Sequence, residues 1–399
     1  MIFVEHPPFF DRQGLYGDSN GDFGDNEFRY AFFCRAVIEF CRSRGYRPDV
    51  FHAHDWQTGL LPVYLKAFYG DDPTIHSVPT VYTIHNLAYQ GHFSAATLGP
   101  LGLPLSLATE DALEWNGNIC YMKGGLLFSE VITTVSPTYA QEIQTPEFGQ
   151  GLEAVVRSRA EDLVGILNGV DYEEWDPRHD PRIAASFDET EHAGKVACKR
   201  ALLREYGLAQ DPDLPLIGII SRLVHQKGFD LVTSAMESIL SRGVRLVALG
   251  TGEPEVEAGL REFVRRDPTR FGARFQYDDG LAHRIEAGAD MILMPSRFEP
   301  CGLTQMYSMR YGTIPVVRKT GGLADTVQHF DLKKKKGTGF LFQHADVTGL
   351  MWALDEALAA YAKPGPWSVL MRQAMTRDFS WNLSAERYEA VYSRAQFSL

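Results

Sequence analysis

Short apolar runs alternate with stretches of helical periodicity along the chain, the pattern that parallel sheets built from strand-helix-strand units leave in a sequence. In the first half the runs predict strands over residues 1–5, 49–53, 80–84, 131–135 and 163–167. Between the first two, Phe32, Phe33, Ala36, Val37, Phe40 and Cys41 recur at helical spacing and predict a helix over 28–43 with one apolar face. The second half repeats the pattern, with strands expected at 216–220, 245–249, 291–294 and 314–317. Unbroken runs such as Met291-Ile292-Leu293-Met294 predict burial on both sheet faces. Asn168-Gly169-Val170-Asp171, Asp176-Pro177 and a polar stretch to about residue 194 separate the halves and predict a domain boundary. The expected class is α/β, two Rossmann-like domains facing a cleft, and 399 residues suit two domains of ordinary size.

Composition narrows the partners. With 45% hydrophobic and 23% charged residues the chain can bury sizeable cores, and its net charge of −12 argues against nucleic acid or an anionic membrane, which need a basic surface to displace counterions. The one basic run, Lys333 to Lys336, reads as a solvated loop. Cys34, Cys41, Cys120, Cys198 and Cys301 are odd in number, widely spaced and free of any Cys-x-x-Cys pair, so a reducing compartment is expected. No run reaches the roughly 18 apolar residues of a membrane span, and Met1-Ile2-Phe3-Val4-Glu5 does not read as a leader. A cytoplasmic location follows as the expectation.

In doubly wound sheets ligands bind beyond the carboxyl ends of the strands, so the loops that follow strands hold the candidate chemistry. Arg222 and Lys227 place two cations five residues apart after the 216–220 strand, an arrangement suited to a diphosphate: Arg222 offers a planar fork and Lys227 a compact charge. After the 291–294 strand, Glu299-Pro300-Cys301-Gly302-Leu303-Thr304 leads into a helix, whose first amides and positive dipole end suit a phosphate. Glu299 in that turn reads either as a helix-capping carboxylate or as a group beside a phosphate-linked sugar, and its strand-end position favours the second. Gly321 and Gly322 make another strand-end turn, open both to a structural role and to close ligand approach. Tyr277 reads equally as a stacking platform or a packed aromatic. His52-Ala53-His54-Asp55-Trp56 puts two imidazoles on one strand face, but nothing at recognisable spacing completes a metal shell, and Asp211-Pro212-Asp213 reads as a loop. His85, in Thr83-Ile84-His85-Asn86-Leu87-Ala88-Tyr89-Gln90-Gly91, reads either as a satisfied core histidine or as a cleft residue, and its strand-end position favours the second.

These stretches together, with Asn168-Gly169-Val170-Asp171, Gln226-Lys227-Gly228 and residues 320–327, resemble the starch/glycogen synthase family over essentially the whole chain. The resemblance implies a GT-B architecture, with an acceptor-side domain over 1–172, a nucleotide-sugar domain over 173–379 and a closing helix over 380–399 that returns to the first domain through Phe379-Ser380-Trp381, Ala385, Tyr388 and Tyr392. It implies retaining transfer of glucose from ADP-glucose to the non-reducing end of an α-1,4-glucan, with no metal or other cofactor. Carried over by residue, Glu299 lies near the transferred glucose, Cys301, Gly302 and Leu303 line the sugar pocket, and Thr304 meets the distal phosphate. Arg222 and Lys227 neutralise the departing diphosphate, His85 and Asn168 hold glucose hydroxyls, Asp55 supports that wall and Tyr277 stacks on adenine. A bacterial member would work in the cytoplasm and a plant one in the plastid stroma.

Two departures qualify the match. Many relatives of the fold carry a second glutamate eight residues after the first; Tyr307 stands there, a feature shared with starch synthases. The family also begins with a further strand and a Lys-x-Gly-Gly loop upstream of the segment matching 1–17, and Lys319-Thr320-Gly321-Gly322 cannot replace that loop. An unfilled sheet position predicts poor solubility and weak catalysis. Two alternatives stay open: another GT-B enzyme using UDP-glucose, and a catalytically silent glucan-binding remnant.

Overall fold

All but the first of the strands expected from the apolar runs form, and they belong to two separate parallel sheets. The structure is a computed structural model that describes residues 1–18 and 21–397. Its contacts divide the chain into one unit of Met1–Ile166 with Ala385–Leu399 and a second of Leu167–Ser384. Ser398 and Leu399, at the end of the expected closing helix, lie outside the described residues.

The first unit is built on four parallel strands in the order Phe51–His54, Thr80–Ile84, Val131–Thr134, Leu163–Gly165. Every side chain of Thr80–Ile84 is buried, as a central strand covered on both faces requires. The helix expected over 28–43 spans Asn26–Ser43, but the stripe it buries is Ala31, Cys34, Ile38 and Cys41; of the expected face only Cys41 is buried, while Phe32, Phe33, Ala36, Val37 and Phe40 are half-buried. Val391 and Ala395, from the helix Trp381–Phe397, close one core cluster against Val81, Val131 and Ile166. A small antiparallel sheet of His92–Ser94, Asn118–Cys120 and Glu114–Trp115 has no counterpart in the apolar pattern, because its strands are two or three residues long.

The strand expected over 1–5 is not formed. Met1, Ile2 and Phe3 are exposed, and the chain enters a short helix at Pro7–Phe10. An apolar run becomes a strand only where a neighbour satisfies its backbone groups, and this segment has no ladder partner among the described residues.

The second unit carries six parallel strands in the order Phe271–Arg274, Arg245–Leu249, Leu216–Ile220, Met291–Met294, Ile314–Arg318, Phe340–Phe342. Numbered within the unit this is 3-2-1-4-5-6, the dinucleotide-binding order, with a reversal between the first and fourth strands. Gly218 is needed there because a Cβ would stand 2.7 Å from Cγ2 of Ile285 on the covering helix Asp279–Gly288. Lys333 to Lys336 are exposed, and Lys334 pairs with Asp331.

Candidate functional site

At the reversal in the second unit, two loops leave adjacent strand ends. One follows Leu216–Ile220 and the other follows Met291–Met294; the register pairs Ile217 with Met291 and Gly218 with Ile292. The loops are tied together. Arg297 N donates to the Gln226 carbonyl at 2.8 Å, the Gln226 amide donates to the Phe298 carbonyl at 3.3 Å, and Arg297 pairs with Asp230. Gly228 allows the crossing: its φ is +73°, and a Cβ would lie 2.2 Å from the Pro295 carbonyl oxygen.

The tie brings Lys227 and Glu299 face to face, with Nζ 2.5 Å from Oε2, and Ser296 Oγ donates to the same carboxylate oxygen at 3.0 Å. Glu299 is 5% exposed, so its charge is held in a medium where a counter-ion matters far more than in water. The glycine turn supports Glu299 from behind. A Cβ on Gly321 would meet the Glu299 carbonyl oxygen at 2.0 Å and one on Gly322 the Cys301 carbonyl oxygen at 1.9 Å, while Gly322 N donates to the Glu299 carbonyl at 3.1 Å. Close packing of backbone on backbone therefore accounts for both glycines.

Six expected residues, Arg222, Lys227, Glu299, Gly302, Leu303 and Thr304, line one cavity of about 180 Å³. A second cavity, of about 300 Å³, shares Ile220, Ser221, Arg222 and Thr304 with it and extends past Trp175, Thr251 and Tyr307 to Tyr277. Tyr277 is 89% exposed and forms part of the rim. Glu286 is buried in the wall, and burial pushes its carboxyl up to about 8 against the opposing pull of Ser308 and Lys195. Arg222 is exposed, and its guanidinium donates to Gln226 Oε1 at 3.3 Å. Cys301 is buried and lines neither cavity, and burial pushes its thiol up to about 12 against a backbone contact from Asn168, which argues against a nucleophile.

Asp55 and His85 belong to the first unit. Asp55 Oδ1 accepts from the His85 amide at 2.7 Å, and Asp55 holds φ at +56°, unusual for a residue with a side chain. Burial raises the Asp55 carboxyl, opposed by His85 and the backbone amides of His85 and Asn86. His85 Nε2 lies 3.0 Å from His54 Nδ1. Burial first, then the neighbouring histidines, hold His52 down at about 3, and burial with His85 holds His54 at about 4. Neither His52 nor His54 belongs to a three-ligand group among the described residues.

Ser296 and Gln305, to which the sequence assigned no role, also shape the site. Ser296-x-x-Glu299 has the spacing of a local side-chain pair, a signal that was available. Gln305 donates to the carbonyls of Cys301 and Gly302 at 3.2 and 2.7 Å and so shapes the Gly302 turn; nothing in its place along the chain announces this.

Residues 1–158 match the family described as starch synthase catalytic domain, and 207–367 match glycosyl transferases group 1. A glycogen synthase of Anaeromyxobacter sp. (strain Fw109-5) is 50% identical over 98% of this chain and 82% of its own length. Glycogen synthase 1 of Geobacter sulfurreducens is 45% identical over 99% and 79%. Among solved structures, the catalytic domain of starch synthase IV from Arabidopsis thaliana, bound to ADP and acarbose, superposes with a TM-score of 0.90 at 37% identity, covering 98% of this chain and 81% of that one. Sucrose-phosphate synthase from Thermosynechococcus elongatus, covering 99% and 86%, shares the GT-B fold at a TM-score of 0.62 and 18% identity. Likeness of this depth across both halves leaves no room for a chance match of motifs: the chain belongs to the glycogen and starch synthase family, and it is a glucosyltransferase.

Proposed function

We propose that the chain transfers glucose from ADP-glucose to the non-reducing end of an α-1,4-glucan with retention at the anomeric carbon. One observation carries this reading: Lys227, Glu299 and the turn that opens the Thr304–Arg310 helix line a single small cavity, and that cavity shares Arg222 and Thr304 with a nucleoside-sized one rimmed by Tyr277. Tyr277 then stacks on adenine, while Arg222, Lys227 and the Thr304 amide take the diphosphate. Glucose lies beside Glu299 against Cys301, Gly302 and Leu303, with the Gly321-Gly322 turn behind it, and Asn168 holds its hydroxyls.

In this reading the acceptor hydroxyl oxygen bonds to the anomeric carbon as the bond from that carbon to phosphate oxygen breaks, and the hydroxyl proton passes to the departing phosphate. Negative charge grows on ADP and positive charge on the sugar ring. Fixed cations at one end and the Glu299 carboxylate at the other stabilise that separation, so the transfer needs no metal. For a bacterial chain the reading carries a cytoplasmic location. Among the described residues no helix is long and apolar enough to cross a membrane.

The test is incorporation of labelled glucose into glycogen from ADP-glucose and, in parallel, from UDP-glucose. ADP-glucose is expected to give the higher kcat/KM. Equal or better transfer from UDP-glucose would remove the adenine assignment, and incorporation from neither would return the chain to a glucan-binding role.

A further inference from the structure

In the second unit, Glu174, Asp279 and His283 each offer one ligand atom, and these atoms lie within 4.8 Å of one another. His283 is fully buried, and its Nδ1 lies 2.7 Å from Asp180 Oδ2. A carboxylate there draws the ring proton to Nδ1 and leaves the lone pair on Nε2. That nitrogen has no hydrogen-bond partner among the described residues, and it lies 3.9 Å from Asp279 Oδ2. A buried ring nitrogen facing a carboxylate takes either a proton or a metal ion between the two.

The resident cation does not balance the cluster. Arg182 lies 2.9 Å from Glu174, 3.6 Å from Asp279 and 3.9 Å from Asp180. Among the described residues three carboxylates face one guanidinium, an excess of negative charge that favours a divalent ion over a lone proton at Nε2. Ligands about 2.0–2.1 Å from a tetrahedral metal stand roughly 3.3 Å apart, so the observed 3.9 Å closes with a small side-chain movement.

We propose that Glu174, Asp279 and His283 bind a divalent first-row transition-metal ion, with Asp180 as the outer carboxylate that orients the imidazole. The site is structural and owes nothing to the assignment of donor sugar. Trp175, next to Glu174, is sandwiched between His283 (3.7 Å between ring centres, 16° between planes) and Tyr307 (3.9 Å, 2°), and it lines the larger cavity. The ion therefore clamps the loop bearing Trp175 to the helix Asp279–Gly288 and stiffens that wall.

The experiment uses the full chain, stripped with chelator and titrated with Zn²⁺ by calorimetry and with Co²⁺ by visible absorption. Expected are one saturable equivalent, a rise in Tm with Zn²⁺, and Co²⁺ bands of a low-coordinate nitrogen and oxygen site with quenching of tryptophan fluorescence. Glu174 is exposed, so Glu174→Gln folds and is expected to weaken binding by about tenfold or more. Arg182→Met removes the competing guanidinium and is expected to tighten it. Absence of saturable binding in the wild type overturns the proposal, and so does an affinity left unchanged by Glu174→Gln.

Discussion

Lys227 and Glu299 pair in the resting site, and in the proposed reading each also acts on charge that appears only during transfer. Breaking such a pair has two consequences that must be measured apart: a partly buried charge loses its counter-ion, and the transition state loses a fixed stabiliser. For Lys227→Ala and Glu299→Ala alike, we expect the barrier to rise by roughly 3 kcal/mol, about a hundredfold in kcat. Urea denaturation run beside the kinetics separates loss of fold from loss of chemistry. Turnover within about threefold of the parent in a folded variant contradicts the assigned roles. Both residues were legible in the chain because each follows a strand end at the place where doubly wound sheets bind ligands. Their mutual contact was not: nothing in a spacing of 72 residues says that Nζ and Oε2 meet.

At the scale of elements, the site depends on two loops crossing in contact, and Gly228 is where they touch. Its left-handed φ of +73° costs a residue with a side chain about 1–2 kcal/mol, and the Cβ would collide with the Pro295 carbonyl besides. Gly228→Ala is therefore expected to lower stability by about 2 kcal/mol or more and to reduce activity further by displacing Lys227. A shift in urea midpoint with a parallel fall in kcat would bear this out, and parental values in both would not. The long strands of the second unit were readable because burial on both faces leaves unbroken apolar runs, as in Met291–Met294. Phe271–Arg274 and Phe340–Phe342 were not, since Phe271-Gly272-Ala273-Arg274 holds no apolar run and Phe340-Leu341-Phe342 one of only three residues. Residues 1–5 fail in the opposite sense, apolar enough for a strand but with no ladder partner among the described residues.

At the scale of the whole molecule, the chain closes by returning its last helix to the unit with which it began. His52 reports on that closure. Its Nδ1 lies 2.9 Å from the Tyr392 hydroxyl on the final helix and its Nε2 lies 2.6 Å from Thr83 Oγ1 on the central strand. Burial, with His54 and His85 nearby, lowers the imidazole from 6.5 to about 3, so the folded chain keeps it neutral. A lowered value means that the unfolded chain takes up the proton first. The stability His52 contributes is thus fully present above pH 6.5 and is lost as pH falls through about 3. Urea midpoints measured between pH 7 and 4 should fall less steeply for His52→Gln, which has no imidazole to protonate; identical slopes would exclude His52 as a source of acid lability.

What the sequence determined by itself is local or periodic: the α/β class, the central strands, and the loops that carry Arg222, Lys227, Glu299 and His85. These follow from burial patterns and from residue types that suit phosphate and sugar at strand ends. Only the tertiary structure decided the strand order that reverses beside Leu216–Ile220, the Lys227–Glu299 contact, the backbone packing behind Gly321 and Gly322, and the unpartnered Nε2 of His283. Each of these joins groups far apart in the chain, and such a meeting is set by how sheets and helices stack rather than by any short stretch of residues.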